Sequence, residues 1–303
     1  MHLVNDMVPM EWWSDAPNFG DLLAPWLVEK MSGKKPYAEK DRTNNPNYLV
    51  IGSIVSHARD ASIVWGPGAF GDETNNQLNK SAQYLAVRGP LTRNKLAIAG
   101  IKCPRIYGDP ALLVPDFYKP DVEKTHEIGV VVRWSEPWWN KDLKIDGVKT
   151  ISLKSDDIEG VINDICSCKR IISSSLHGLI IADAYGIPNA WLASGSPRGL
   201  EFKFWDYFLT VQKPRDPRAV DLAKSNITLD LLLKEFDYDD RPMGLDLNPC
   251  GMPTPSAGCR LRQRDRLTWG RPQVMRPAAI TAATWPPQCC RMPCPAPLPA
   301  KGA

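Results

Sequence analysis

The run Arg170-Ile171-Ile172-Ser173-Ser174-Ser175-Leu176-His177-Gly178, continued to Tyr185-Gly186 and Asn189-Ala190-Trp191-Leu192, decides the fold. Four residues rich in isoleucine read as a buried strand, and the serines that follow as a turn. Leu176 to Tyr185 then reads as a helix stopped by Gly186, before a second short apolar strand. Strand, helix and strand in one compact run make the crossover unit of a parallel α/β sheet. The same rhythm precedes it. Ile128–Val132 and Thr150–Leu153 read as strands, and Asp157–Cys168 as a helix with Ile158, Val161, Ile162 and Ile165 on one face.

Further toward the N-terminus, Tyr48–Ile51, Ser62–Trp65 and Gln83–Val87 read as strands, each followed by a glycine turn. Pro90 suits the first position of a helix reaching Ala99. Lys119–Lys124 is polar and carries a proline, as a linker does. The chain therefore divides into an α/β lobe at 1–120, a second at 126–240, each with its own core, and a tail at 241–303. Helices are expected near Ala219–Ala223 and Leu229–Phe236, packed back across the lobes. Near-continuous apolar strands imply sheets covered on both faces, with ligands at the strands' C-terminal ends.

Composition separates the tail from the rest. The 303 residues are 43% hydrophobic and 23% charged, with a formal net charge of +3. Residues 241–303 hold nine Lys/Arg against two Asp/Glu, whereas the first 240 hold 28 against 32. The body is thus slightly acidic, which argues against a nucleic-acid partner. Twelve prolines in the last 63 residues and no strand or helix period mark an unstructured segment. Its Cys and Trp content is unusual for a disordered tail and favours non-native coding sequence, such as a shifted reading frame. Cys103, Cys166 and Cys168 are a sparse, odd set consistent with reduced thiols, and the tail cysteines lack zinc spacing. No metal is expected. Neither a membrane span nor a leader is visible, so a cytoplasmic location is expected.

Three constellations can carry chemistry. Asn18-Phe19-Gly20-Asp21 opens a helix; read alone, Asp21 is a cap, and read with a cleft it aims a carboxylate inward. Arg88-Gly89-Pro90-Leu91-Thr92-Arg93 places a guanidinium beside a helix N-terminus, a trap for phosphate or carboxylate. Ser173-Ser174-Ser175-Leu176-His177-Gly178 sets His177 in a first helical turn, where it serves as acid or base, or as a satisfied structural residue. Asp109, in Gly108-Asp109-Pro110, reads as a turn or cap. Trp134, Trp138 and Trp139 beside Arg133 are sugar-stacking candidates or ordinary core. Gly66-Pro67-Gly68 reads only as a tight loop.

In this order, Asn18–Asp21, Arg88–Thr92, Gly108–Ala111, Ser174–Gly178 and Lys203–Phe208 resemble the polysaccharide pyruvyltransferase family, over about residues 15–210. Within it the chain is most similar to the exopolysaccharide (xanthan-type) ketal pyruvate transferases. The resemblance implies two Rossmann-like lobes of the glycosyltransferase-B type with a cleft between them. It implies phosphoenolpyruvate as donor, no other cofactor, and a lipid-linked oligosaccharide as acceptor. Arg88 matches the family's essential arginine and His177 its essential histidine. The chain departs from the family at Ser175, where many members carry arginine, and at Arg133-Trp134, where a histidine is frequent.

On that resemblance, Arg88 and Lys203 bind the donor's anionic groups, with Arg133 or Lys203 replacing the arginine missing at 175. His177, as imidazolium, protonates the methylene carbon. Asp21 or Asp109 takes a hydroxyl proton or orients the sugar, and Asn18, Ser174 and Ser175 line the site. A lipid-linked acceptor suggests work at the inner membrane face, with Met10, Trp12 and Trp13 as surface contacts. The rival readings are a nucleotide-sugar glycosyltransferase, against which the lack of a Glu on the helix after Ser175 counts, and a relative that binds without turnover.

Overall fold

The computed structural model describes residues 1–39, 45–136, 143–193, 201–224 and 226–245. The tail beyond 245, with its cysteines, and Trp138 and Trp139 lie outside the described residues. Among the described residues nine strands form two wholly parallel sheets. The first contains β1 (Val8–Glu11), β2 (Pro36–Ala38), β3 (Tyr48–Leu49), β4 (Ile63–Trp65) and β5 (Gln83–Ala86), in the order β2-β1-β3-β4-β5. The second contains β6 (His126–Val131), β7 (Val148–Ile151), β8 (Cys168–Ser173) and β9 (Asn189–Trp191), in the order β7-β6-β8-β9. In each sheet the second strand lies on one side of the first and the third on the other. This reversal opens a crevice at the strand C-termini between β1 and β3, and again between β6 and β8.

The helices are α1 (Phe19–Ser32), α2 (Pro90–Ile98), α3 (Val114–Phe117), α4 (Ile158–Cys166), α5 (Leu176–Ala184), α6 (Phe202–Val211) and α7 (Leu229–Glu235). Helix α1 starts because Asn18, in an extended conformation, accepts the Gly20 N–H, and it stops at Gly33, whose φ of 67° is left-handed. Helix α4 is capped by Asp157 and buries Ile158, Val161, Ile162 and Ile165. The spacing predicted that face. Helix α5 is apolar nearly all round, and fittingly it is buried along most of its length.

The two sheets share one core and each also has one of its own. One buried cluster joins Met10, Phe19 and Leu27 of the first half to Ile171, Leu179 and Trp191 of the second. The Phe19 N–H also donates to the Leu153 carbonyl at 3.0 Å. Two further clusters belong to one sheet each, around Leu49 and Leu96 and around Ile128 and Leu232. The helix expected near Ala219–Ala223 does not form; Leu222 instead anchors a turn in the last cluster. Strands β1 and β2 are the reverse case, formed despite Pro9 and Pro36, which obscure them in the sequence. Met10 is fully buried in β1, so it cannot serve as a surface contact. Among the described residues no helix is long and apolar enough to cross a membrane.

Candidate active site

The C-terminal ends of β1, β3, β5, β6 and β8 converge with the start of α6 on one centre. Asn18 does two jobs there. Its Oδ1 accepts the Gly20 N–H at 3.2 Å, and its Nδ2 donates to Asp21 Oδ2 at 2.6 Å. Asp21 is therefore both the first-turn acid of α1 and a cleft carboxylate. Burial pushes its pKa up to about 6, against the opposing pull of Lys203, Asn18 and His57.

His177 stands in the first turn of α5, against the backbone of Gly20. A Cβ on Gly20 would fall 2.2 Å from His177 Nδ1, so only glycine allows this approach. His177 Nε2 is buried without a hydrogen-bond partner among the described residues. Burial, then the charges of Lys203 and Arg88, hold its pKa down to about 3. The free site thus favours the neutral form of His177. Lys203, in the first turn of α6, is pushed down to about 7 by burial and then by Arg133 and Arg88, with Asp21 and Glu136 opposing. Its ammonium also lies 5.9 Å from the Phe70 ring centre and 5.5 Å from that of Phe204.

Arg88 differs from its sequence reading. It is 1% exposed, and its three guanidinium nitrogens all have partners. Nε donates to Asp206 Oδ2 at 3.2 Å, Nη1 to Ser53 Oγ at 3.0 Å and Nη2 to the Ala69 carbonyl at 2.7 Å. The N-terminus of α2 is occupied by the same carboxylate. Thr92 donates to Asp206 from its N–H at 2.9 Å and from its hydroxyl at 2.6 Å. The anion trap read from Arg88–Thr92 is real, but the anion in it is Asp206 of the chain itself. Gly68 permits the arrangement, since a Cβ there would lie 2.2 Å from Arg88 Cζ. Gly66-Pro67-Gly68 is thus more than a tight loop. Asp206 was legible as a carboxylate in the apolar helix Phe204–Phe208, a position that demands a partner.

The remaining residues position the site. Asp109 is 2% exposed and caps a short 3-10 turn by accepting the Ala111 N–H at 3.0 Å. Burial raises its pKa to about 6 despite Ala111 and Arg88, and its Oδ2 has no hydrogen-bond partner among the described residues. The serines divide their labour. Ser174 Oγ accepts the Arg133 N–H at 2.9 Å, tying β8 to the loop after β6. Ser173 donates to the Ser175 carbonyl at 2.8 Å and accepts the Ser175 N–H at 3.0 Å. Ser175 precedes α5 without capping it. Trp134 does not present a free face: it meets Trp13 edge-on at 5.0 Å, donates to the Pro17 carbonyl at 2.8 Å, and lies under Lys154.

Lys203 and Arg88 thus act on His177, and Arg133 and Arg88 on Lys203, with Asp21 and Glu136 opposing the latter and Asp206 paired with Arg88. Such a site favours a ligand carrying more than one negative charge. Among the described residues no group of three or more His, Cys, Asp or Glu could hold a metal.

Comparison with known proteins places the chain in a family. The polysaccharide pyruvyl transferase family profile matches residues 18–196, from the cap of α1 to just past β9. An uncharacterized protein, L143, of Acanthamoeba polyphaga mimivirus is 26% identical over 224 residues, 70% of this chain and 78% of its own. The succinoglycan biosynthesis protein ExoV of Rhizobium meliloti (strain 1021) is 26% identical over 230 residues, 72% of this chain and 69% of its own. A solved structure of a functionally uncharacterized Klebsiella pneumoniae protein aligns with a TM-score of 0.45 and 12% identity, over 71% of this chain and 94% of that one. The profile covers more than half of the chain, and the chain therefore belongs to the polysaccharide pyruvyl transferase family, enzymes of pyruvate transfer in polysaccharide biosynthesis.

Proposed function

We propose that this protein transfers the enolpyruvyl carbons of phosphoenolpyruvate to two hydroxyls of a sugar in a lipid-linked repeat unit, forming a cyclic ketal and releasing phosphate. The observation that carries this reading is the gathering of Lys203 and Arg88 around His177, whose buried Nε2 has no hydrogen-bond partner among the described residues. Phosphoenolpyruvate brings a carboxylate and a phosphate, which would offset the charges that depress His177 and Lys203. Lys203 and Arg133 supply the cationic contact that an arginine at position 175 would otherwise give. Arg88, held by Asp206, contributes charge from behind. With the anion in place, His177 regains a pKa suited to a proton donor.

The steps then follow. His177 gives a proton to the methylene carbon as a sugar oxygen bonds to C2 and its hydroxyl proton passes to a base, making a tetrahedral adduct that still carries phosphate. The second hydroxyl oxygen attacks C2, the C–O bond to phosphate breaks, and phosphate leaves with the electron pair and takes up that hydroxyl's proton. Asp21 orients the acceptor. The two parallel sheets with crevices at their strand ends support reading the lobes as Rossmann-like and glycosyltransferase-B-like. A site at the inner membrane face fits a lipid-linked acceptor.

The deciding experiment measures phosphate release from phosphoenolpyruvate by the full chain, with and without extracted lipid-linked oligosaccharides. Acceptor-dependent release with a matching glycan mass gain is expected; folded protein that binds no phosphoenolpyruvate sinks the reading. Titration calorimetry gives a second check. Because Lys203 in the free site has a pKa of about 7, donor binding at pH 8 should take up close to one proton. Heats in two buffers of different ionisation enthalpy measure it. Lys203→Met should abolish most of that uptake and weaken binding about 10–100-fold.

A further inference from the structure

An open groove of about 460 Å3 lies beside the centre just described, within the roughly 300–1,000 Å3 of ligand sites. It occupies the crevice between β1 and β3, where strand order reverses in the first sheet. Its walls include Glu11, Trp12, Trp13, Glu39, His57 and Arg59. Aromatic faces with carboxylates, an imidazole and a guanidinium around them suit a sugar ring, whose faces are apolar and whose edge is hydroxyls. Within the groove His57 Nδ1 lies 3.2 Å from Glu11 Oε1, and the two side chains are 45% and 26% exposed. A carboxylate on Nδ1 fixes the tautomer with its proton there and leaves Nε2 as a proton acceptor. Residues 12–21 link the two places directly, running from the groove's wall to Gly20, which packs against His177.

The geometry points to this groove as the acceptor-sugar site, with His57, oriented by Glu11, as the base for the attacking hydroxyl. This rests on the transfer reading above and completes its proton balance. The hydroxyl proton passes to His57 Nε2 as its oxygen bonds to C2, while the C2–C3 electron pair takes the proton from His177. His57 then returns its proton to solvent and His177 regains one. The placement gives Trp12 and Trp13 a role in substrate binding in place of a membrane contact.

Methyl α- and β-glycosides of glucose, galactose and mannose, at tens of millimolar, are suitable probes for saturation-transfer NMR on the full chain with phosphoenolpyruvate present. At least one should bind the wild type, and Ser56→Trp, which fills the groove, should remove that signal. His57→Gln should keep glycoside and donor binding but lower phosphate release with that glycoside about 10²–10⁴-fold. His57 is largely exposed, so this variant tests the site even if Ser56→Trp fails to fold. The inference is overturned if protein that binds phosphoenolpyruvate binds no glycoside, if Ser56→Trp binds as the wild type does, or if His57→Gln turns over normally. Glycoside binding lost in Ser56→Trp, in a protein that never binds phosphoenolpyruvate, would retain the groove as a sugar site and reject the transfer reading.

Discussion

His177→Gln is expected to lower pyruvyl transfer by about 10²–10⁴-fold while making the folded chain less sensitive to acid. The activity loss follows from removing the proposed donor of the methylene proton; glutamine fills similar space but transfers no proton at Nε2. The stability effect follows from linkage. In the folded chain His177 has a pKa of about 3, against 6.5 for an ordinary histidine. Between those values the unfolded chain binds a proton that the folded chain refuses, so stability is lost as pH falls below about 6.5. At pH 5 the loss is roughly 1–3 kcal/mol, and glutamine should escape it. Asp21 and Asp109 shift the other way, both up to about 6. They favour the folded state as pH falls from about 6 toward 3.8, in wild type and variant alike. Urea midpoints at pH 7.5 and pH 5, beside phosphate-release assays, check both halves. Wild-type turnover in the variant would end the proton-donor assignment, whatever the stability data show.

Asp206→Ala is expected to destabilise the fold strongly. That carboxylate accepts from Arg88 Nε, the Thr92 N–H and the Thr92 hydroxyl, and its side chain is 0% exposed beside an Arg88 side chain at 1%. Alanine would leave a buried guanidinium without its counter-charge and the N-terminus of α2 without a cap, which costs about 3–5 kcal/mol. For a chain of this size the melting temperature should fall by roughly 6–20 °C. The pair Arg88→Met with Asp206→Leu should recover much of that loss, because an apolar pair avoids the desolvation cost. Activity should not return with it, since the charge of Arg88 would still be missing beside Lys203 and His177. A double variant that recovers turnover as well as stability would show that Arg88 is only scaffolding.

The parts of the fold legible in the sequence are those whose burial is complete. Strands β6 and β8, the amphipathic α4 and the apolar α5 are read directly, because their side chains face the core with a regular period. Strands β1 and β2 are hidden by Pro9, Glu11 and Pro36 and by their shortness, and only pairing with neighbours makes them strands. At the site, Asn18–Asp21 shows why a bland and a functional reading need not compete, since the residues that cap α1 also present Asp21 to Lys203. What the sequence could not convey is proximity across the chain. The contact of Gly20 with His177 spans more than 150 positions, and the Arg88–Asp206 pair joins residues 118 positions apart. Local pattern therefore identified Arg88 as an anion binder but not Asp206 as its anion.

That long-range pairing has a consequence for synthesis. The first sheet and α2 are complete in the chain by Ile98, yet the carboxylate that neutralises Arg88 and closes the start of α2 arrives only at Asp206. During translation the N-terminal half must wait for roughly another hundred residues with a guanidinium it cannot bury. It should remain open on the ribosome, protease-sensitive and a client for chaperones, until α6 has emerged. Closure of the first lobe and assembly of the Lys203 site would then be one event, so a nascent chain that has hidden Arg88 has also delivered Lys203.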